Sequence, residues 1–340
     1  MKIGLIGGGS MGSLHARVVT QNPETTLAWV ADPHEQARVG LAAKYPVRDS
    51  VSPAEIRRVD GLIIASTTHS HLEWCERAIE EGVAFLVEKP LSLVVKEVEW
   101  VAEAALRHGV PFTVGFVERF NNAVIAAHNV IRGSVLMFSA IRHSPYGSRV
   151  AIGTEWDLMI HDLDLALSFI DDDVEFVSGF SARMHPQSAK STSDIASAAI
   201  RFTGGSAAHL SASRLAQRKI RLLTIGNLER SAEIDLLRSD ITVYRHVLGE
   251  AVDDGPGYRQ ETVIEIPYLQ PGVEPLLGQL EHFMMLIKGE VDAVSEIESV
   301  VYPHRVMAAI EDAAGAVAGT SRGIPRSRFG SSANDEPRQG

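Results

Sequence analysis

The chain has 340 residues, 45% of them hydrophobic and 22% charged, with one cysteine and a mean hydropathy of +0.03. That is globular composition with length for two domains, and it excludes an internal disulfide or a cysteine-built metal cage. The net charge of −11 divides into −4 over residues 1–118, −9 over 119–320 and +2 over 321–340, which disfavours nucleic acid or an anionic membrane as the main partner.

Short apolar runs at Lys2–Ile6, Thr26–Ala31, Gly61–Ala65, Ala84–Val87 and Phe112–Gly115 read as strands. Helical patterns lie between them, at Glu73–Glu81 and at Leu93–His108 with a Gly109 stop. This alternation predicts βαβ units and a doubly wound parallel sheet. After about Gly115 the segments alternate instead: Ile195–Phe202 and Ala207–Leu215 flank Thr203-Gly204-Gly205-Ser206, and Arg221–Ile225, Ala232–Leu237 and Ile241–His246 follow. These predict a hairpin within a mostly antiparallel, open sheet carrying a few helices on one face. Two late helices are expected at Glu274–Lys288 and Ser299–Ala318, and Ser321–Gly340, rich in Ser, Gly, Pro and Arg, reads as a disordered tail.

The first strand runs into Gly7-Gly8-Gly9-Ser10-Met11-Gly12, a G-x-G-x-x-G pattern on Gly7, Gly9 and Gly12 that opens a helix. Gly7 suits a tight turn, Gly9 lets backbone approach a pyrophosphate, and Gly12 lets the helix pack closely. The amides of Ser10, Met11 and Gly12 then face the anion. Asp32 ends the second strand, where a carboxylate accepts from both ribose hydroxyls and repels a 2′-phosphate, so NAD is expected in preference to NADP. Ser66 and Thr67 follow the third strand and meet the cofactor by the same rule for strand carboxyl ends.

Two further stretches stand out. Glu88-Lys89-Pro90 closes the fourth strand, again at a carboxyl end, and Trp156–Asp164 reads WDLMIHDLD. At ~100° per residue, Asp157, His161, Asp164 and Ser168 fall within about 60° on one helix face, among apolar neighbours. Such a stripe lines a site or is fully hydrogen-bonded. Asp162 lies off it, where capping and a pocket edge are both open.

The glycine loop, Glu88-Lys89-Pro90 and the Asp157–His161 pair together resemble the glucose–fructose oxidoreductase and inositol dehydrogenase (Gfo/Idh/MocA) family, over nearly the whole chain to about residue 320. The resemblance implies an N-terminal Rossmann domain (1–118), a substrate, catalytic and oligomerisation α/β domain with an open sheet (119–293), a helix returning to the first domain (294–320) and a tail (321–340). It implies Lys89, Asp157 and His161 as the catalytic group. Oxidation of a secondary alcohol needs a base for the hydroxyl proton, so His161 is expected as base, Asp157 as the residue that orients its ring, and Lys89 as the hydroxyl's partner. The resemblance also places Glu88 and His71 on the cofactor side.

Val117-Glu118-Arg119-Phe120-Asn121 and Arg142-His143-Ser144-Pro145-Tyr146-Gly147-Ser148-Arg149 resemble the subgroup of UDP-N-acetylglucosamine 3-dehydrogenases, with Asn122 in place of a proline and Met159 where many members have glycine. Arg119, Asn121, Arg142 and Arg149 are therefore expected at the substrate, with guanidinium forks on phosphate oxygens. The function expected is NAD-dependent oxidation of a secondary hydroxyl, at C3, of a nucleotide sugar. The alternatives are an inositol or neutral sugar dehydrogenase, an NAD-dependent glycoside hydrolase and an NAD-responsive binding protein. The −9 of residues 119–320 stands against a pyrophosphate.

His69-Ser70-His71 has the look of a metal pair, but the chemistry needs no metal and none is expected. Cys75 lies on the apolar side of its helix and reads as core. No apolar run approaches the ~20 residues that span a bilayer, and Met1-Lys2-Ile3-Gly4 leads straight into glycines, so neither a membrane segment nor a targeting segment is expected and the cytoplasm is the default. A homodimer or homotetramer through the open sheet face is implied.

Overall fold

The computed structural model describes residues 1–49, 53–147, 152–190, 192–248, 260–269, 274–315 and 320–324. Its first sheet contains β1 (Lys2–Ile6), β2 (Thr26–Ala31), β3 (Arg48–Asp49), β4 (Gly61–Ile64), β5 (Ala84–Val87) and β6 (Phe112–Val114). All neighbours are parallel, in the order β3-β2-β1-β4-β5-β6, which is the doubly wound nucleotide-binding order. Four of the five parallel crossovers run through α-helices, α1 (Ser10–Gln21), α2 (Glu35–Ala42), α3 (Thr68–Glu80) and α4 (Val95–His108), and the fifth, from β3 to β4, through the 3-10 helix Pro53–Arg58. Gly109, at φ +65°, terminates α4 as expected. The short α2 and β3 were not apparent in the sequence pattern, because α2 buries only Leu41 and so carries almost no apolar period.

Strand side chains alternate between faces. Ile3, Leu5 and Ile63 enter one core and Ile6, Leu62 and Ile64 another. Helix α7 (Pro275–Lys288), which lies within the stretch assigned from sequence to the second domain, inserts Leu280, Phe283 and Met284 into the first of these cores, against α1.

The second sheet comprises β7 (Met137–His143), β8 (Val174–Ala182), β9 (Ile195–Phe202), β10 (Ala207–Ser213), β11 (Ile220–Gly226), β12 (Ser231–Asp235), β13 (Asp240–Leu248), β14 (Gln260–Glu265) and β15 (Thr320–Ile324). The order is β14-β13-β12-β11-β7-β10-β9-β8-β15, antiparallel throughout except for β7 beside β10. The hairpin between β9 and β10 turns through Gly205 at φ +90°. Helices α5 (Asn122–Val130), α6 (Ile160–Phe169) and α8 (Ala293–Gly315) pack on one face. On the other, Met137, Ile141, Phe180 and Leu222 are exposed.

Helix α8 packs on both sheets, touching β6 and α4 as well as β8, so a single core runs between the domains. It begins six residues before the expected Ser299. The tail expected to be disordered from Ser321 is corrected at its start: Thr320–Ile324 pairs with β8 as an edge strand. The remainder of the tail lies outside the described residues. Among the described residues no helix is long and apolar enough to cross a membrane.

Candidate active site

At the carboxyl ends of β1, β2 and β4 lies a cleft of about 650 Å³, lined by Gly7, Gly9, Asp32, Ser66 and Thr67 among others. Gly7 holds φ +93°, and a Cβ there would meet the Ala65 carbonyl at 2.5 Å; a Cβ on Gly12 would lie 1.9 Å from the Gly7 carbonyl. A Cβ on Gly9 would meet nothing within 4 Å, so that glycine faces open cleft. Gly9 caps α1, whose first turn carries no acidic residue, leaving the N–H groups of Ser10, Met11 and Gly12 for an anion.

The Asp32 carboxylate accepts from the Gly8 and His34 N–H groups at 2.8 and 2.7 Å. Burial pushes its pKa up, but those bonds and the His34 ring outweigh this and hold it below the usual carboxylate value. An ionised carboxylate keeps acceptor capacity for ribose hydroxyls.

Lys89 follows β5, on a loop gripped from both sides by buried histidines. His71 Nδ1 lies 2.9 Å from the Pro90 carbonyl and its Nε2 3.1 Å from that of Ser66. The His71 ring thus lies between the cofactor loop and the Lys89 loop. From α8, His304 Nε2 accepts the Leu91 N–H at 3.1 Å while Nδ1 donates to the Val300 carbonyl at 2.8 Å. That pair of roles makes His304 neutral, and burial pushes its pKa down to about 4. Glu88, expected against the cofactor, turns inward and bonds His15 of α1 at 2.7 Å. Cys75 is fully buried and burial pushes its thiol pKa up, so it is core.

The second-domain side of the site is a π-helical turn, Glu155–Met159, that continues into α6. Such turns concentrate at functional sites. Asp157 meets Lys89 here: Nζ donates to its carbonyl at 2.8 Å and to Oδ1 at 3.1 Å. Arg214, just past β10 and buried, donates to Oδ2 at 2.9 Å. Burial raises the Asp157 pKa, but Lys89 and Arg214 reverse the sign and hold it below the normal value.

His161 makes no hydrogen bond among the described residues, and its Nδ1 is a buried atom without a partner. Burial first, then the charges of Lys89, Arg142 and Arg221, push its pKa well below that of free imidazole. The ring is therefore neutral at physiological pH, and neither nitrogen is engaged by a neighbour among the described residues. The expectation that Asp157 orients this ring is corrected, since the carboxylate is held by Lys89 and Arg214. The π turn is the reason: it breaks the 100° spacing on which that pairing was drawn.

Three of the expected substrate residues are corrected as well. Arg142, 2% exposed, gives a bidentate fork to Asp162 at 2.8–3.0 Å and a further bond to Glu118 at 3.1 Å. This also explains Asp162, left open from its place off the stripe. Arg119 forks onto Asp164 at 2.9 Å and donates to Ser299 at 3.0 Å. Asn121 is 2% exposed, caps α5 through the Ala123 N–H and donates to the Leu236 carbonyl. All three hold the domain together. Arg149 lies outside the described residues.

Similarity to known proteins agrees with this arrangement. Residues 1–116 match the model of an oxidoreductase family with an NAD-binding Rossmann fold, and residues 131–230 match the Gfo/Idh/MocA C-terminal domain. The chain belongs to the Gfo/Idh/MocA oxidoreductase family. It is 29% identical over 265 residues to the UDP-N-acetylglucosamine 3-dehydrogenase of Acidithiobacillus ferrooxidans, covering 77% of this chain and 82% of that one. The solved structure of that enzyme superposes with a TM-score of 0.78, covering 91% and 95%. The scyllo-inositol 2-dehydrogenase of Bacillus subtilis is 26% identical over 320 residues, covering 88% and 90%. A levoglucosan dehydrogenase solved with NADH shares the fold at 19% identity and a TM-score of 0.79, covering 95% and 98%.

As a member of this family the chain is an NAD-dependent oxidoreductase acting on CH–OH groups, and its glycine cradle and paired Asp32 fit that cofactor. Sequence reasoning missed Arg214, Arg221 and His304. Arg214 follows β10 directly and Arg221 is the second residue of β11, on either side of β7 in the sheet, and a cation at the tip of a largely apolar strand is the signal that could have found them.

Proposed function

We propose that the chain oxidises a secondary hydroxyl of a sugar, and specifically C3 of a nucleotide sugar such as UDP-N-acetylglucosamine. The observation that carries the chemistry is His161, neutral and unbonded, beside the ion-paired Lys89 and Asp157. The substrate class rests on the similarity to the UDP-N-acetylglucosamine 3-dehydrogenase over most of both chains.

In this reading His161 takes the hydroxyl proton. Its low pKa keeps it unprotonated below neutral pH. Lys89 donates to the reacting oxygen and stabilises the negative charge that grows there as the proton leaves. Asp157 and Arg214 fix the Lys89 ammonium at its post. Bound NAD supplies the acceptor for the hydride. Backbone N–H groups of Ser10, Met11 and Gly12 would hold its pyrophosphate and Asp32 its ribose, while Ser66 and Thr67 line the same cleft. An inositol or neutral sugar dehydrogenase is the second reading, favoured by the match to scyllo-inositol 2-dehydrogenase along 88% of this chain.

NADH absorbance with UDP-N-acetylglucosamine, scyllo-inositol and myo-inositol tests both. Turnover of the UDP-sugar supports the first reading, turnover of an inositol alone supports the second, and glycoside release without net NADH supports a hydrolase. The exposed sheet face carrying Met137, Ile141, Phe180 and Leu222 is the surface for a homodimer or homotetramer. Light scattering in solution tests this, and a monomer at micromolar concentration rejects it.

A further inference from the structure

Ion pairs of 2.8–3.1 Å link Lys89, Arg142, Arg214 and Arg221 to Glu118, Asp157 and Asp162. They form two groups: Lys89 and Arg214 share the single carboxylate of Asp157, which leaves one positive charge in surplus, whereas Arg142 and Arg221 balance Glu118 and Asp162. The surplus contrasts with the −9 of residues 119–320, which makes the regional charge a poor guide to the charge at the site.

The cations differ in how many donors they have left to offer. Arg142 and Arg214 are buried, each with 3% of its side chain exposed, and both guanidinium groups are held by internal oxygens. Lys89 spends two of its three N–H donors on Asp157 and keeps the third for the reacting oxygen. Arg221 differs: 36% of its side chain is exposed, and one nitrogen, Nη1, is anchored on Glu118 at 3.0 Å. Among the described residues its Nε and Nη2 have no partner. Backbone pairing places Arg221 opposite Arg142 where β11 begins and β7 ends, and its charge reaches the His161 ring. Arg221 is thus a half-exposed, pre-anchored fork next to the base.

We propose that Arg221 is the anion subsite of the substrate pocket, its free guanidinium donors taking a phosphate or carboxylate oxygen of the substrate while Glu118 holds its other edge. This rests on the dehydrogenase reading of the pocket around His161, and it moves the anion-binding role from Arg119 and Arg142 to a residue with donors to offer. A planar fork fixed at one edge loses little entropy on binding and recognises an oxyanion in a defined orientation. A neutral polyol offers no oxyanion to those two donors.

The test is calorimetric titration of UDP, and separately of glucuronate, into the NADH-loaded protein as wild type, Arg221→Gln and Arg221→Lys. UDP reports a phosphate source and glucuronate a carboxylate source. Wild type is expected to bind at least one of them, about 10- to 100-fold more tightly than Arg221→Gln, the scale of a lost charge-assisted hydrogen bond. Arg221→Lys, which keeps charge but not the fork, is expected to fall between the two and remains informative if Arg221→Gln misfolds. Wild type binding neither anion, or variants binding as well as wild type, overturns the subsite. NADH production separates the two ideas. Anion binding through Arg221 with no NADH from any sugar overturns the dehydrogenase reading alone, and oxidation of UDP-N-acetylglucosamine with an unchanged KM in Arg221→Gln overturns the subsite alone.

Discussion

The two halves of the site use opposite materials. In the first domain recognition is built from backbone: three glycines whose missing side chains make a turn, an opening and a close helix contact, and a carboxylate held by N–H groups. In the second it is built from long charged side chains, most of which neutralise one another before any substrate arrives. A backbone device has one function wherever it occurs, because glycine at φ +93° or beneath a carbonyl has few alternatives. An arginine can serve a ligand or a neighbouring aspartate equally well, and only its surroundings decide.

This contrast can be broken most directly at the base. His161→Ala is expected to lower kcat by about 10²–10⁴ while leaving NADH affinity, a property of the first domain, within a few-fold. Loss of NADH binding in this variant would mean that the halves are not separable. The reciprocal experiment is Gly12→Ala. With the Gly7 carbonyl 1.9 Å from the new Cβ, overpacking should destabilise the fold by about 1–3 kcal/mol and weaken NADH binding more than tenfold. Fluorescence titration and thermal melts would register both, and a variant with normal affinity would remove Gly12 from the cofactor cradle.

The His304 contact sharpens the comparison, since it joins the halves. His304→Phe strands the buried Leu91 N–H at a cost of about 1–3 kcal/mol; by loosening the Lys89 loop it is expected to lower kcat several-fold, with NAD binding nearly unchanged. His304→Gln, which retains an acceptor, should recover most of the loss. Equal defects in both variants would make the contact merely structural.

The smallest effect lies in the pH profile. Removing the Arg221 charge from beside His161 makes protonation of the ring easier, so its pKa rises toward the normal value. The acid limb of kcat/KM in Arg221→Gln should therefore move to higher pH, by about one unit or less. A limb that stays in place or moves down would show that His161 is not the group titrating.

Legibility followed the same divide. Gly7, Gly9, Gly12 and Asp32 were legible because each acts within one βαβ unit, and Lys89 because the end of a parallel strand is a fixed address. Asp157 and His161 were legible as polar residues on an apolar helix, but their pairing was not: the π turn at Glu155–Met159 changes the spacing without any mark in the apolar pattern. Arg119, Arg142 and Asn121 carry suitable chemistry, yet their partners Asp164, Asp162 and Leu236 lie 45, 20 and 115 residues away. Arg214 and Arg221 gave no local motif at all.

The sequence by itself determined five of the six strands of the first sheet in their order, the glycine loop and Asp32 of the dinucleotide cradle, and the strand-end and helix-face positions of Lys89, Asp157 and His161, whose roles the family resemblance implies. These follow from local sterics and from periodicity, which act over a few residues. The tertiary structure decided which charges remain available. Burial pairs Arg119 and Arg142 with carboxylates, sets His161 neutral through three cations from separate segments, and leaves Arg221 half exposed with donors to spare. Charge pairing is settled by distance in the folded chain, and distance between remote segments is not written in their order.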